Sequence, residues 1–178
     1  MRLYLLVVLS FAVFTAGCIG QSQQASSEGA TASDWHDLPL KDVRTGETFK
    51  ISDFRDKPVL LESFAVWCPV CLEQQRQIAE MRALEENGNI VHVSLDTDQN
   101  EDEARVREHL QRYGFDWYFA VPPQEFTDAL RAQYGLTIVH APSAPMVLVC
   151  EDGSTRFLRT GVKPPEELFS EVEKGCNL

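Results

Sequence analysis

The chain has 178 residues, with 16 Lys and Arg against 27 Asp and Glu, for a formal net charge of −11. A surface this acidic repels phosphate backbones and argues against nucleic-acid binding. With 44% hydrophobic residues and no internal repeat, the chain has the makings of one domain with a full core rather than an array or a disordered polymer.

In chain order, Met1-Arg2 precedes an apolar stretch from Leu3 to Ala16 that ends at Gly17-Cys18. The stretch is short for a membrane span of about 20 residues and reads as a secretory signal covering 1–17. Thr15-Ala16-Gly17-Cys18 resembles the lipobox of secreted lipoproteins, which implies that Cys18 carries the lipid anchor. Residues 18–33 are rich in Gln, Ser, Ala and Gly and cannot bury a core. They read as a flexible tether with a root-mean-square span of roughly 20 Å, leaving 34–178 as the folded domain. Export places the thiols where disulfides persist, on the outer face of a membrane.

Within the domain, Leu38 to Leu40 and Thr48 to Ile51 flank Arg44-Thr45-Gly46-Glu47 and predict a short hairpin. The apolar run Val59-Leu60-Leu61, continued by Phe64-Ala65-Val66, predicts a buried strand, and Leu72 to Leu84 a helix that stops at Asn87-Gly88. Ile90 to Leu95 alternates apolar positions and completes a βαβ unit with parallel strands. Helices are predicted from Glu101 to Tyr113, stopped by Gly114, and from Gln124 to Tyr134, entered through Pro122-Pro123, with a short strand Trp117–Val121 between them. Met146–Cys150 and Thr155–Thr160 flank the hairpin turn Glu151-Asp152-Gly153-Ser154, and Pro165 to Gly175 reads as a closing helix.

Between the first core strand and its helix lies Trp67-Cys68-Pro69-Val70-Cys71. Two thiols separated by two residues at a helix start are the reactive unit of a dithiol/disulfide exchanger. Free N–H groups and the helix dipole favour a thiolate at Cys68, whose pKa in such a setting falls from about 8.5 to roughly 3.5–7.5. Cys68 is therefore expected to be an exposed nucleophile, and Cys71, one turn on and more buried, the resolving thiol. Pro69 lacks an N–H, which leaves those of Val70 and Cys71 to hold the thiolate. A zinc site would need two more ligands, and the four His are scattered, so no resident metal or cofactor is expected.

The order ββ-β-α-β-α-β-α-β-β-α with Trp-Cys-x-x-Cys after the first core strand resembles the thioredoxin superfamily, and more narrowly its TlpA-like, or redoxin, branch of exported, membrane-tethered thiol-disulfide oxidoreductases. The resemblance implies an α/β thioredoxin-like fold: a central mixed β-sheet flanked by helices, with an N-terminal hairpin and a strand/helix insertion at Glu101–Tyr134. It implies that Glu62 is the buried acid beneath the motif, taking the proton of Cys71. A carboxyl in an apolar strand has a raised pKa suited to that exchange. It further implies that Pro145 is a cis-proline facing the disulfide, that the backbone of Ala144 docks substrate as an extra strand beside Pro69 and Val70, and that Trp67 shields the site. Many members carry Glu three residues after the second Cys, where this chain has Gln74. Proline stands first between the two Cys, so the direction of electron flow stays open.

The implied partners are thiols and disulfides of exported proteins and a redox protein of the same compartment. A second function was weighed: Cu(I) delivery through Cys68, Cys71 and His140, since soft thiolates suit Cu(I). A peroxidase would need a Thr-x-x-Cys context that the motif lacks. Finally, the proposed strands place Cys150 about 16 Å from the active-site end, at roughly 3.3 Å per residue, and the closing helix carries Cys176 about as far at 1.5 Å per residue. A structural disulfide Cys150–Cys176 is expected, closing a loop of about 27 residues for roughly 3.5 kcal/mol.

Overall fold

The computed structural model describes residues 34–176; the signal segment, the anchor Cys18 and the tether lie outside them. The central strand β3 (Val59–Phe64) has all six residues buried, Glu62 and Ser63 included, as befits a strand covered on both faces. It pairs in parallel with β4 (Val91–Asp96) and antiparallel with β6 (Met146–Val149). At the edges, β5 (Tyr118–Ala120) joins β4 in parallel and β7 (Thr155–Phe157) joins β6 antiparallel, giving the mixed order β5-β4-β3-β6-β7. A separate two-stranded hairpin, β1 (Leu40–Lys41) with β2 (Thr48–Phe49), precedes the sheet.

Strand alternation sorts β3 into two cores. Leu60 and Phe64 pack with helices α1 (Pro69–Leu84), α2 (Glu103–Tyr113) and α4 (Pro165–Lys174). Val59 and Leu61 pack on the other face with α3 (Gln124–Tyr134) and the N-terminal hairpin. Two-residue periodicity puts Glu62 on the first face, beneath α1. Register then matters: Glu62 lies opposite Ser94 on β4 and Met146 on β6.

Several elements differ from the sequence expectation at their ends. The hairpin strands are shorter, because Leu38 closes a 3-10 turn at Trp35–Asp37 and Ile51 opens another at Ile51–Phe54. Helix α1 begins three residues early, since Cys68 itself caps it and Pro69 occupies the first helical position, where a missing N–H costs nothing. The Asp102 carboxylate caps α2 through the Arg105 N–H at 2.9 Å, which moves its start to Glu103, and Gly114 (φ 72°) ends it. Two 3-10 turns, Leu136–Val139 and Ala141–Ser143, fill the stretch before β6, where the sequence predicted no element. No helix of the described residues is long and apolar enough to cross a membrane.

Candidate active site

Cys68 and Cys71 are joined as a disulfide at the amino end of α1, with Cα atoms 5.3 Å apart. The Cys71 N–H points at Cys68 Sγ over 3.2 Å, the geometry that would stabilise a thiolate there. No corresponding bond from Val70 is present among the described residues, so one amide rather than two serves that sulfur. Pro69 is exposed and Val70 half-buried beside it.

The expected exposure of Cys68 does not hold: it is 1% exposed, the same as Cys71. The segment before β6 lies against the pair, with the carbonyl oxygen of Ala141 3.2 Å from Cys71 Sγ. Trp67, 60% exposed, is the outward-facing residue of the motif. Beside it runs an open groove of about 360 Å³ between Trp67, Asp98 and Asn100 on one side and Val139, His140 and Pro142 on the other.

Pro145 is buried at the start of β6, and its carbonyl accepts the Ser63 N–H at 3.2 Å. The expected cis bond is absent: every peptide bond among the described residues is trans. The reversal from the Ala141–Ser143 turn into β6 is made instead by Ala144, in the left-handed region at φ 43°, ψ 56°. Ala144 is buried, and its carbonyl is already engaged by the Lys163 ammonium at 3.0 Å, so that oxygen is not free to pair with a docking strand.

Glu62 is 2% exposed and accepts the Ser94 hydroxyl at 2.6 Å, while Ser94 accepts the Trp117 indole N–H at 2.8 Å. Burial pushes the Glu62 carboxyl up to about 7, against the opposing pull of Ser94, the Gln75 amide and the Lys163 charge. A carboxyl at that value exchanges protons near neutrality.

A second acidic group surrounds the strand-to-motif connection. Asp96, 1% exposed at the end of β4, is raised well above the carboxylate range by burial and by neighbouring Glu101 and Asp98. Glu101 accepts the Val66 N–H at 2.6 Å, and Asp98 accepts the Trp67 indole N–H at 2.5 Å. From sequence alone, an acidic run such as Asp96 to Glu103 reads as a solvated loop and helix start. Strand parity was the available signal, since Ser94 and Asp96 share the face that carries Glu62. Lys163, fully buried in the connection to α4, gave no such signal, because the loop has no periodicity to read.

Cys150 and Cys176 are bonded, with Cα atoms 6.1 Å apart, where the end of β6 meets the end of α4. His140 is exposed and its Nδ1 pairs with Ser143 Oγ at 2.6 Å. No group of three or more His, Cys, Asp or Glu suited to a metal ion occurs among the described residues.

A family model described as Redoxin matches residues 7–175. Thioredoxin-like protein CITRX, chloroplastic, of Arabidopsis thaliana is 30% identical over 79 residues, 44% of this chain and 41% of that protein. The chain thus spans about two fifths of the length of such relatives. Thiol-disulfide oxidoreductase ResA of Geobacillus thermodenitrificans is 21% identical over 171 residues, 96% of this chain and 90% of that one. Among solved structures, a secreted Mycobacterium tuberculosis disulfide oxidoreductase homologous to E. coli DsbE superposes with a TM-score of 0.58 at 16% identity, covering 80% of this chain and 98% of that one.

Proposed function

Because the chain belongs to the redoxin family, we propose that it is a thiol-disulfide oxidoreductase that exchanges disulfides with exported proteins through Cys68 and Cys71. The observation that carries this reading is the Cys68–Cys71 disulfide at the start of α1, on the same sheet face as a buried carboxyl tuned to about 7. In the reducing direction, Cys68 thiolate attacks one sulfur of a partner disulfide, and the other partner sulfur leaves as a thiolate. Cys71 then gives its proton to the Glu62 carboxylate and attacks Cys68, so the internal disulfide forms and the second partner thiol is released. Two electrons pass from the Cys pair to the partner; the oxidising direction is the reverse sequence.

The low exposure of Cys68 requires the partner to displace the Ala141–Ser143 turn or approach along the groove at Trp67, which Ala141 and Pro142 also line. A location on the outer face of the cytoplasmic membrane, with a lipid at Cys18, is supported by the apolar segment ahead of Cys18. The likeness to a protein described as secreted supports it further.

The test is disulfide exchange with a protein substrate. Cys68→Ser should abolish exchange, and Cys71→Ser should accumulate mixed disulfides visible on non-reducing gels. Full activity in both variants would remove the assignment.

A further inference from the structure

Lys163 is fully buried, yet nothing in the exchange chemistry above uses it. Taking an ammonium out of water costs several kcal/mol unless it is hydrogen-bonded and its charge is matched. Its Nζ donates to the carbonyls of Ala144 at 3.0 Å and Gly161 at 2.7 Å, which occupies two of its three N–H groups. Its backbone is held too: Gln74, three residues after Cys71 on α1, accepts the Lys163 N–H at 2.8 Å and donates to its carbonyl at 3.2 Å. That accounts for a Gln with no exposure on a helix whose other buried residues are Cys71, Gln75, Ile78 and Met81.

These bonds run in one direction, toward the redox site. Lys163 binds the carbonyl of Ala144; the next residue, Pro145, accepts the amide of Ser63; and the residue before Ser63 is Glu62. Two carbonyl dipoles hold an ammonium but leave its charge unmatched. The carboxyls whose field favours that charge are Glu62 on β3 and, on α4, Glu167 and Glu171, while Arg159 opposes it. Glu167 and Glu171 already pair with arginines, Glu167 with Arg159 and Glu171 with Arg156, and Glu171 also with Lys174. On the Glu62 side the neighbours are neutral: Ser94 on β4, and Gln75 on α1, whose oxygen pairs with His109 of α2 at 2.6 Å. His109 is held neutral by burial, down to about 4.

We propose that Lys163 is a positioning residue of the redox site, clamping the Ala144–Pro145 corner beside the disulfide and supplying the positive charge that keeps the Glu62 carboxylate available to accept the Cys71 proton. The inference rests on the exchange chemistry proposed above for its functional meaning, and on the bonding of Lys163 for its physical content. Consistent with it, burial lowers the Lys163 ammonium to about 8 while the Glu62 charge pulls it back up. Burial is the main influence on both groups, and the charge of each favours the charged form of the other. No atom of Lys163 enters the covalent steps; the proton moves from Cys71 Sγ to Glu62 and from there to solvent.

The experiment follows the Glu62 carboxyl carbon by NMR across pH in the oxidised protein, alongside the pH profile of mixed-disulfide resolution. Lys163→Met should move the Glu62 midpoint up, by about half to one pH unit. Resolution at pH 7 should fall about two- to fivefold, the loss of carboxylate that such a shift produces from a midpoint of about 7, with its profile displaced to higher pH by the same amount. Lys163→Arg, which keeps the charge, should leave the midpoint near that of the parent. An unchanged Glu62 midpoint in Lys163→Met, with exchange lowered equally at every pH, would reduce Lys163 to a structural clamp and overturn the proposal. Should Lys163→Met not fold, Glu62→Gln reads the same coupling from the other side: the Lys163 Nζ midpoint must fall, and if it stays the proposal fails. Neither titration needs an exchange partner, so loss of the oxidoreductase reading and loss of this coupling are separate results.

Discussion

Replacing Glu62 by Gln removes one titrating group while keeping an oxygen to accept the Ser94 hydroxyl. In the folded chain the Glu62 carboxyl is raised from 4.5 to about 7, chiefly by burial. The folded state therefore holds the Glu62 proton more tightly than the unfolded state does. Its stabilising contribution is complete below pH 4.5 and is lost as the pH climbs through 7. At about 1.4 kcal/mol per pH unit, the rise from 4.5 to about 7 amounts to about 3 kcal/mol of native stability surrendered by the parent chain over that window. The Gln variant has no such loss. Urea denaturation of both oxidised proteins at a series of pH values between about 4.5 and 7.5 isolates the effect, because titrations common to the two cancel in the difference. The stability of Glu62→Gln relative to the parent should grow by about 3 kcal/mol across the series, even as exchange activity drops. Parallel stability curves would show that Glu62 titrates as an ordinary surface carboxylate and would refute the buried-acid reasoning.

Two further outcomes are expected. Replacing both Cys150 and Cys176 by Ala opens the loop between residues 26 apart in sequence, and should cost about 3.5 kcal/mol in urea melts while leaving exchange through Cys68 and Cys71 intact; stability equal to the parent would mean that the clasp adds nothing. Cys18→Ala should yield a soluble domain that still exchanges disulfides, and membrane retention of that variant on fractionation would argue for an uncleaved signal instead.

The main sheet and helices were legible because their residues obey one local rule each. β3 opens on the apolar run Val59-Leu60-Leu61, β4 alternates, and α2 and α3 are bounded by Gly114, Pro123 and Gly135. The motif announced itself by spacing alone. What escaped was decided by tertiary contact. The low exposure of Cys68 depends on a 3-10 turn some seventy residues away, and no periodicity marks a turn of three residues. The cis-proline expectation came from family resemblance, and this chain turns the same corner with a left-handed Ala144. Lys163 is buried by partners on α1 and before β6 that its own loop does not foreshadow. An acidic run such as Asp96 to Glu103 is usually solvated; the parity of Asp96 relative to Ser94 on β4 held the contrary information, whereas Glu101, beyond the strand, carried no such signal.

The bond from the Val66 amide to Glu101 bears on how this protein can be rebuilt. Val66 stands two residues before the nucleophile, past the end of the central strand, and its N–H finds its partner in a side chain of the segment joining β4 to α2. The connection between β4 and α2 is thus wired into the redox motif rather than appended to it. A chimera that trims residues 97–101, or transplants the motif into a scaffold without them, would leave an amide without its acceptor and Trp67 without its Asp98 tether. Motif and connection form one transferable unit, and swapping either alone moves only half of the site.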